Sequence, residues 1–294
     1  MISRTIAVAV LAPFVVLAGR PARADQTEAR RPAASDALVE IENPAGSVRV
    51  IGWSKGEVAV TGSLGRRAEL TLSGPPHRIH VEVEVAGNPH ATTSDIEVHV
   101  PAGSRVSIES FASSITVSEV TGPVTAETVN GAISVSGSVK EVSVESVNGA
   151  VDVSGAPTRL HAGTVNGALT VRGARGDLEA NTVNGELRVV GGGPFDRAHL
   201  ESVSGAIRFE GKLTAHADLQ AQTVSGEVEL RLPAKTEADF TVSTFSGDIN
   251  SDFGTAVYRP GRHSPQKELT FSTGGGGAKV AIETLSGSIS LRKR

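Results

Sequence analysis

The chain has 294 residues, with 28 basic and 32 acidic side chains, a formal charge of −4 and no cysteine. That composition excludes disulfides, thiol catalysis and zinc–thiolate sites, and the sign of its charge argues against general nucleic-acid binding. Aromatics make up only 3% while glycine numbers 33, a balance that suits a thin core of small branched side chains.

In chain order, the first segment is a basic start, an apolar run from Ile6 to Leu17, and the ending Gly19-Arg20-Pro21-Ala22-Arg23-Ala24. This is the pattern of a secretory signal peptide over residues 1–24; the run is shorter than the roughly 20 apolar residues of a membrane span. Its removal takes away Arg4, Arg20 and Arg23, leaving 25 basic against 32 acidic residues, or −7. The protein is therefore expected to be exported to the periplasm or the cell surface, without a stable transmembrane segment after cleavage. Residues 25–36 are polar, alanine-rich and aperiodic, which predicts a disordered lead-in.

From Ala37 the pattern becomes strand-like. "ALVEIENPAGSVRVIGW" alternates apolar and polar residues around Asn43-Pro44-Ala45-Gly46, and "EVAVTGSL", "AELTLSG", "RIHVEVEVAG" and "DIEVHVPAG" continue it between turn residues. No useful window places apolar residues at helical spacing. Residues 37–103 are thus expected to form β-strands that cap one end of a longer β region.

From about Ser104 an internal repeat takes over. "ETVNGAISVSG", "ESVNGAVDVSG", "GTVNGALTVRG" and "NTVNGELRVVG" place Asn130, Asn148, Asn166 and Asn184 at a step of 18, and Ser204, Ser225, Ser246 and Ser286 continue the series. Asn-Gly between alternating runs is a strong hairpin signal, but a meander does not require equal strand spacing. A solenoid does, because each residue sits about 4.8 Å from its counterpart in the next coil. The sequence therefore predicts an all-β, parallel β-helix-like solenoid over 104–294, with coils of about 18 residues and right-handed winding expected from strand twist. About nine coils give a rod or wedge roughly 40 Å long.

Stacking makes the columns uniform. Val129, Val147, Val165 and Val183 form one expected packing ladder; Ile133, Val151, Leu169 and Leu187 form another, and Val135, Val153, Val171 and Val189 a third. The asparagine column is expected to bond amide to amide, with Asn-Gly supplying a positive φ at the corner. Ser143, Glu145, Asp152 and Ser154 should face solvent. "SISLRKR" is expected to close the far end with charge, and a loop excursion or eroded coil is placed at about 251–268.

Little here carries chemistry. His77, His80, His90 and His99 have no compact metal-ligand spacing. "VTGSLGRR" and "STGGGGAKV" are glycine-rich, but no helix follows to receive a phosphate. Asp152, Asp177 and Asp248 do not share the recurring column of a calcium-stapled solenoid. Glu127 and Glu145 stack one coil apart, but Gly163 and Asn181 follow them, so no acid–base pair of a polysaccharide-acting enzyme recurs. No catalytic residue, metal or cofactor is expected.

"VEIENPAGSVRVIGW", "IEVHVPAGSRVSIES" and the recurrent T-V-[NS]-G-x-[IVL]-x-[VILF] resemble the bacterial putative-adhesin domain, an exported or membrane-tethered family otherwise described as a domain of unknown function. The resemblance covers about Ala37 to Leu291. It implies a β-solenoid at the cell envelope and brings no catalytic residues. The functional expectation is a non-enzymatic envelope protein presenting a rigid surface to an envelope or extracellular polymer or protein. The row Asn130, Asn148, Asn166, Asn184, Ser204, Ser225, Ser246 and Ser286 is the candidate contact. Alternatives are an envelope scaffold that self-associates through open solenoid ends and, further off, a polysaccharide-acting β-helix enzyme.

Overall fold

The computed structural model describes residues 26–87, 92–254 and 266–294. The expected signal peptide, His90 and most of the expected excursion lie outside them. The N-terminal strands are β1 (Gln26–Pro32), β2 (Leu38–Trp53), β3 (Glu57–Ser63), β4 (Ala68–Ser73), β5 (Arg78–Val85) and β6 (Ser94–Pro101). The middle of the chain carries β7 (Arg105–Ser118), β8 (Val124–Asn130), β9 (Ile133–Gly137), β10 (Glu141–Asn148), β11 (Val151–Gly155), β12 (Arg159–Asn166), β13 (Leu169–Arg172), β14 (Gly176–Asn184), β15 (Leu187–Ser202), β16 (Ile207–Ser225) and β17 (Val228–Leu232). The last group is β18 (Ala238–Ser246), β19 (Ile249–Ser251), β20 (Lys267–Thr273), β21 (Ala278–Ser286) and β22 (Ile289–Lys293). No helix occurs among the described residues, and the chain is all-β and solenoid-like.

Each repeat contributes two short strands that stack in parallel on the same strands of the next repeat. On one face β8, β10, β12 and β14 pair in register, with Glu127 opposite Glu145 and Asn148 opposite Asn166. On the other, β9, β11, β13 and the start of β15 pair likewise, with Val151 between Ile133 and Leu169. The parallel pairing excludes the hairpin meander, whose neighbouring strands run antiparallel. Alternation sends Val142, Val144, Val151 and Val153 inward, where all are buried, while Ser143, Glu145, Asp152 and Ser154 face outward.

Because only two thin walls enclose the core, small residues sit among the larger ones along a column. Val144 is followed by Ala162, Ala180 and Leu200, all with no exposed surface. Where the repeat lengthens in β15 and β16, buried Phe195 and Phe209 fill the extra width, with ring centroids 5.4 Å apart.

The corner glycines differ from expectation. Gly131, Gly149, Gly167 and Gly185 do not take a left-handed φ. They are glycine because coil lies on coil: a Cβ on Gly167 would sit 2.1 Å from the Gly149 carbonyl oxygen, and one on Gly185 1.9 Å from that of Gly167. The left-handed demand falls on the opposite corner, at Gly137, Gly155 and Gly173, with φ of 108°, 138° and 85°.

The ends also depart from expectation. Residues 26–32 are not a disordered lead-in but β1, which pairs antiparallel with β3 along its whole length. Nor does stacking begin at 104. β2 spans both faces and pairs in parallel with β7 on one side and with β5 and β6 on the other. Antiparallel β4 then flanks β5, and β3 flanks β6. Buried Asn43 turns the corner of β2, donating from Nδ2 to Ser94 O (3.1 Å) and accepting at its carbonyl from Ser110 Oγ (2.6 Å).

At the other end the chain stacks out of sequence order. β21 lies between β16 and β18, and β22 between β17 and β19. "SISLRKR" therefore does not close the stack; most of it is intercalated, with Ile289 and Leu291 fully buried. The outermost strand on the β18 side is β20, antiparallel to β18, so the segment from Lys267 is a cap. Phe271 of β20 stacks on Phe240 at 4.6 Å.

Candidate functional site

The face built from β8, β10, β12, β14 and the later halves of β15 and β16 ends at the Asn-Gly corner. The predicted asparagine row stands there, exposed. Asn148 donates from Nδ2 to Asn130 Oδ1 at 3.0 Å, Asn166 to Asn148 at 2.9 Å, and Asn184 to Asn166 at 2.9 Å. Ser204, Ser225, Ser286 and Ser246 carry the column onward; Ser286 sits between Ser225 and Ser246 because β21 is inserted there. Each asparagine amide is engaged with its neighbours along the column, so the row stitches coils together.

One position before each of these residues stands the first of the expected packing ladders. Val129, Val147, Val165 and Val183 are not a core ladder. They point outward and continue through Val203, Val224, Leu285 and Phe245, with Phe111 extending the line at the N-terminal side. Eight of these nine side chains are exposed, from 36% at Val183 to 56% at Leu285. The signal was available in the sequence: Val147 lies three residues after inward Val144, and an odd step in a strand reverses the face.

The apolar column runs along a groove of about 1040 Å³. From Val129 to Phe245 it crosses seven strand spacings, about 34 Å at roughly 4.8 Å each. Inward of the valines lies a column of hydroxyls, Thr128, Ser146, Thr164, Thr182, Ser202, Thr223, Thr284 and Thr244, all buried. Thr164 Oγ1 donates to the Gly149 carbonyl and Ser146 Oγ to that of Gly131, both at 2.9 Å. These bonds clamp their two corners onto the preceding coil. The hydroxyls of Thr182, Ser202, Thr223 and Thr284 are buried without a partner.

The other wall is acidic. Glu109, Glu127, Glu145, Glu201 and Glu283 line the groove, and among the described residues no lysine or arginine does. The Glu127–Glu145 pair extends upstream to Glu109, which faces Glu127 in register. It stops at Gly163, where His161 fills the gap: its Nε2 lies 3.1 Å from Glu145 and its Nδ1 3.3 Å from Glu179. Among the described residues, no group of three or more His, Cys, Asp or Glu is placed to hold a metal ion, and no helix is long and apolar enough to cross a membrane. His80 lies 3.6–3.8 Å from Glu40, Glu42 and Glu82 on an outer face, as a surface ion cluster.

Comparison with known proteins adds a family. The model of the family described as Toastrack DUF4097 matches residues 82–292. No curated protein matches the chain. Among solved structures, a putative adhesin from Bacteroides fragilis is 11% identical, covering 93% of this chain and 100% of that one with a TM-score of 0.41. A putative adhesin from Parabacteroides distasonis is 10% identical over 90% and 97%, with a TM-score of 0.42. A putative lipid binding protein from the same species is 11% identical over 92% and 96%, with a TM-score of 0.36. Likenesses at this level carry no argument about what this chain binds.

Proposed function

The chain belongs to the Toastrack DUF4097 family, and we propose that it is an exported, non-enzymatic envelope protein whose solenoid holds out a binding face, in the manner of an adhesin. The proposed solenoid is right-handed, with coils of about 18 residues as in the register Val142 to Leu160. One observation carries the reading: a contiguous line of large apolar side chains stands in solvent along the stack. Such side chains are ordinarily single on a monomer surface, and contiguous apolar patches mark interaction sites. Here the solenoid repeats the exposure coil after coil, although each coil has a buried column beside it. The contact is thus centred on the valine column, with the Asn/Ser row as its rim.

The test is a neutral apolar fluorophore, N-phenyl-1-naphthylamine, titrated into the protein. Enhanced emission that is lost in the double variant Val165→Asp/Val183→Asp supports a binding face; no enhancement, or enhancement unaffected by the variant, removes it. Export is tested by protease accessibility of a tag after Arg294 in intact and permeabilised cells. Protection in both would place the protein in the cytoplasm and end the envelope reading.

A second reading, end-to-end self-association, rests on β20, whose far edge has no partner strand among the described residues. Unpaired strand edges template association. A sedimentation coefficient independent of concentration would remove it.

A further inference from the structure

We propose that the groove takes an amphipathic, cationic helix of a partner polypeptide; this rests on the groove being a binding face. Three features of the site converge. The first is its chemistry: the apolar line from Val129 to Phe245 is flanked by five glutamates, with neither lysine nor arginine among the described lining residues. An occupant must therefore be apolar along one side and positive along the next. Anionic ligands, whether phospholipid headgroups or nucleic acid, meet a wall of their own sign.

The second is periodicity. Apolar side chains recur along the groove once per coil, roughly every 4.8 Å, and a helix laid along it offers one apolar turn about every 5.4 Å. Aligned at the middle of the column, a helix of about six turns drifts by about 0.6 Å per turn, to about 1.8 Å at either end, which stays within half a period. An extended strand, whose same-face residues recur about every 6.6 Å, falls out of step sooner. The third is length. The column of about 34 Å matches a helix of roughly 22 residues, and helix-in-groove docking uses i, i+3, i+4 and i+7 anchors of this kind.

The glutamates would flank the helix as a charged rim, steering association and setting orientation. In-register backbone pairing, with the Ser146 and Thr164 hydroxyls bonded to the preceding coil, holds the floor in place before the helix arrives. Val165 and Val183 stand at its middle, where anchors contribute most.

The experiment uses the full mature protein and a 22-residue dansyl-labelled peptide of leucine and lysine, with leucine at i, i+3, i+4 and i+7, followed by fluorescence anisotropy. The control replaces every lysine with glutamate. Binding of the lysine peptide and not the glutamate peptide is expected. It should weaken by roughly tenfold in the triple variant Glu109→Gln/Glu127→Gln/Glu145→Gln and at least about as much in Val165→Asp/Val183→Asp, and fall with added salt. Circular dichroism and melting temperature check that both variants remain folded.

Equal binding of the two peptides, or binding unchanged in both variants, overturns the proposal. So does binding of anionic phospholipid vesicles in preference to the lysine peptide. If the naphthylamine probe enters the groove and the lysine peptide does not bind, the cationic helix is wrong and the binding face stands; if neither binds, both fall.

Discussion

Between Arg105 and Val190 the coils lie in space in the order in which the chain makes them, each on its predecessor at a constant register. At both ends that order breaks. β2, the first strand of the stack, is sandwiched between β7 and the later pair β5 and β6, and the last strands, β21 and β22, are sandwiched between two earlier coils. In the middle a coil interacts only with neighbours in sequence, so stability there is close to a sum of similar terms. At the ends β2, β21 and β22 are locked between other layers, and the antiparallel strands β1, β3, β4 and β20 flank the stack. A repetitive rod would fray from its ends; here β21 and β22 are internal, and at the other end β2 is internal while β1 forms an outer edge on β3.

The largest expected effect tests that difference directly. Truncation after Gly277 removes Ala278, Val280, Ile282, Ile289 and Leu291 from between two layers. The loss is about 10 kcal/mol, the size of a domain's whole stability, so cooperative thermal unfolding should disappear. Deleting residues 149–166 instead joins Asn148 to Gly167 and preserves every column. That shorter protein should still unfold cooperatively, several degrees lower, by calorimetry. Equal damage from the two deletions would break the comparison.

Within the regular stack, Gly167→Val should cost more than about 3 kcal/mol in denaturant unfolding. The obstructing atom is a backbone carbonyl that the stack itself holds in place. Next come the two faces of one coil: Leu169→Ala, fully buried, should cost about 2–5 kcal/mol. Val165→Ser on the groove side should change stability by no more than about 0.5 kcal/mol. If Val165→Ser costs as much as Leu169→Ala, the column is core after all.

The smallest effect belongs to the N-terminal end. The Arg78 guanidinium hydrogen-bonds Glu40 at 2.7 and 2.8 Å, joining β5 to β2, and these bonds lower the Glu40 pKa below its ordinary 4.5, against the opposing pull of burial. A carboxylate whose folded-state value is depressed stabilises above its unfolded value and loses that contribution as pH falls through the folded one. The melting temperatures of wild type and Glu40→Gln should therefore differ slightly at pH 7 and converge in acid below the folded-state value. A difference independent of pH would assign it to packing.

How far the sequence reached depends on what repetition encodes. A fixed step of 18 with Asn-Gly at each corner determined parallel stacking, the buried columns at Val142 and Val151 and the amide ladder, because each depends only on a residue and its counterpart one coil away. Parity alone also determined that Val147 faces out, although its likeness to the core valines suggested a ladder inside. The glycine column looked like turn chemistry, and only the structure revealed a carbonyl 2.1 Å from where the Cβ of Gly167 would stand, since coil-to-coil clearance is a three-dimensional quantity. The intercalation of β2 and of β21 with β22 was decided by tertiary structure. Their sequences fit the coil pattern at any layer, and the layer was chosen by which exposed strand edges remained to be paired and covered.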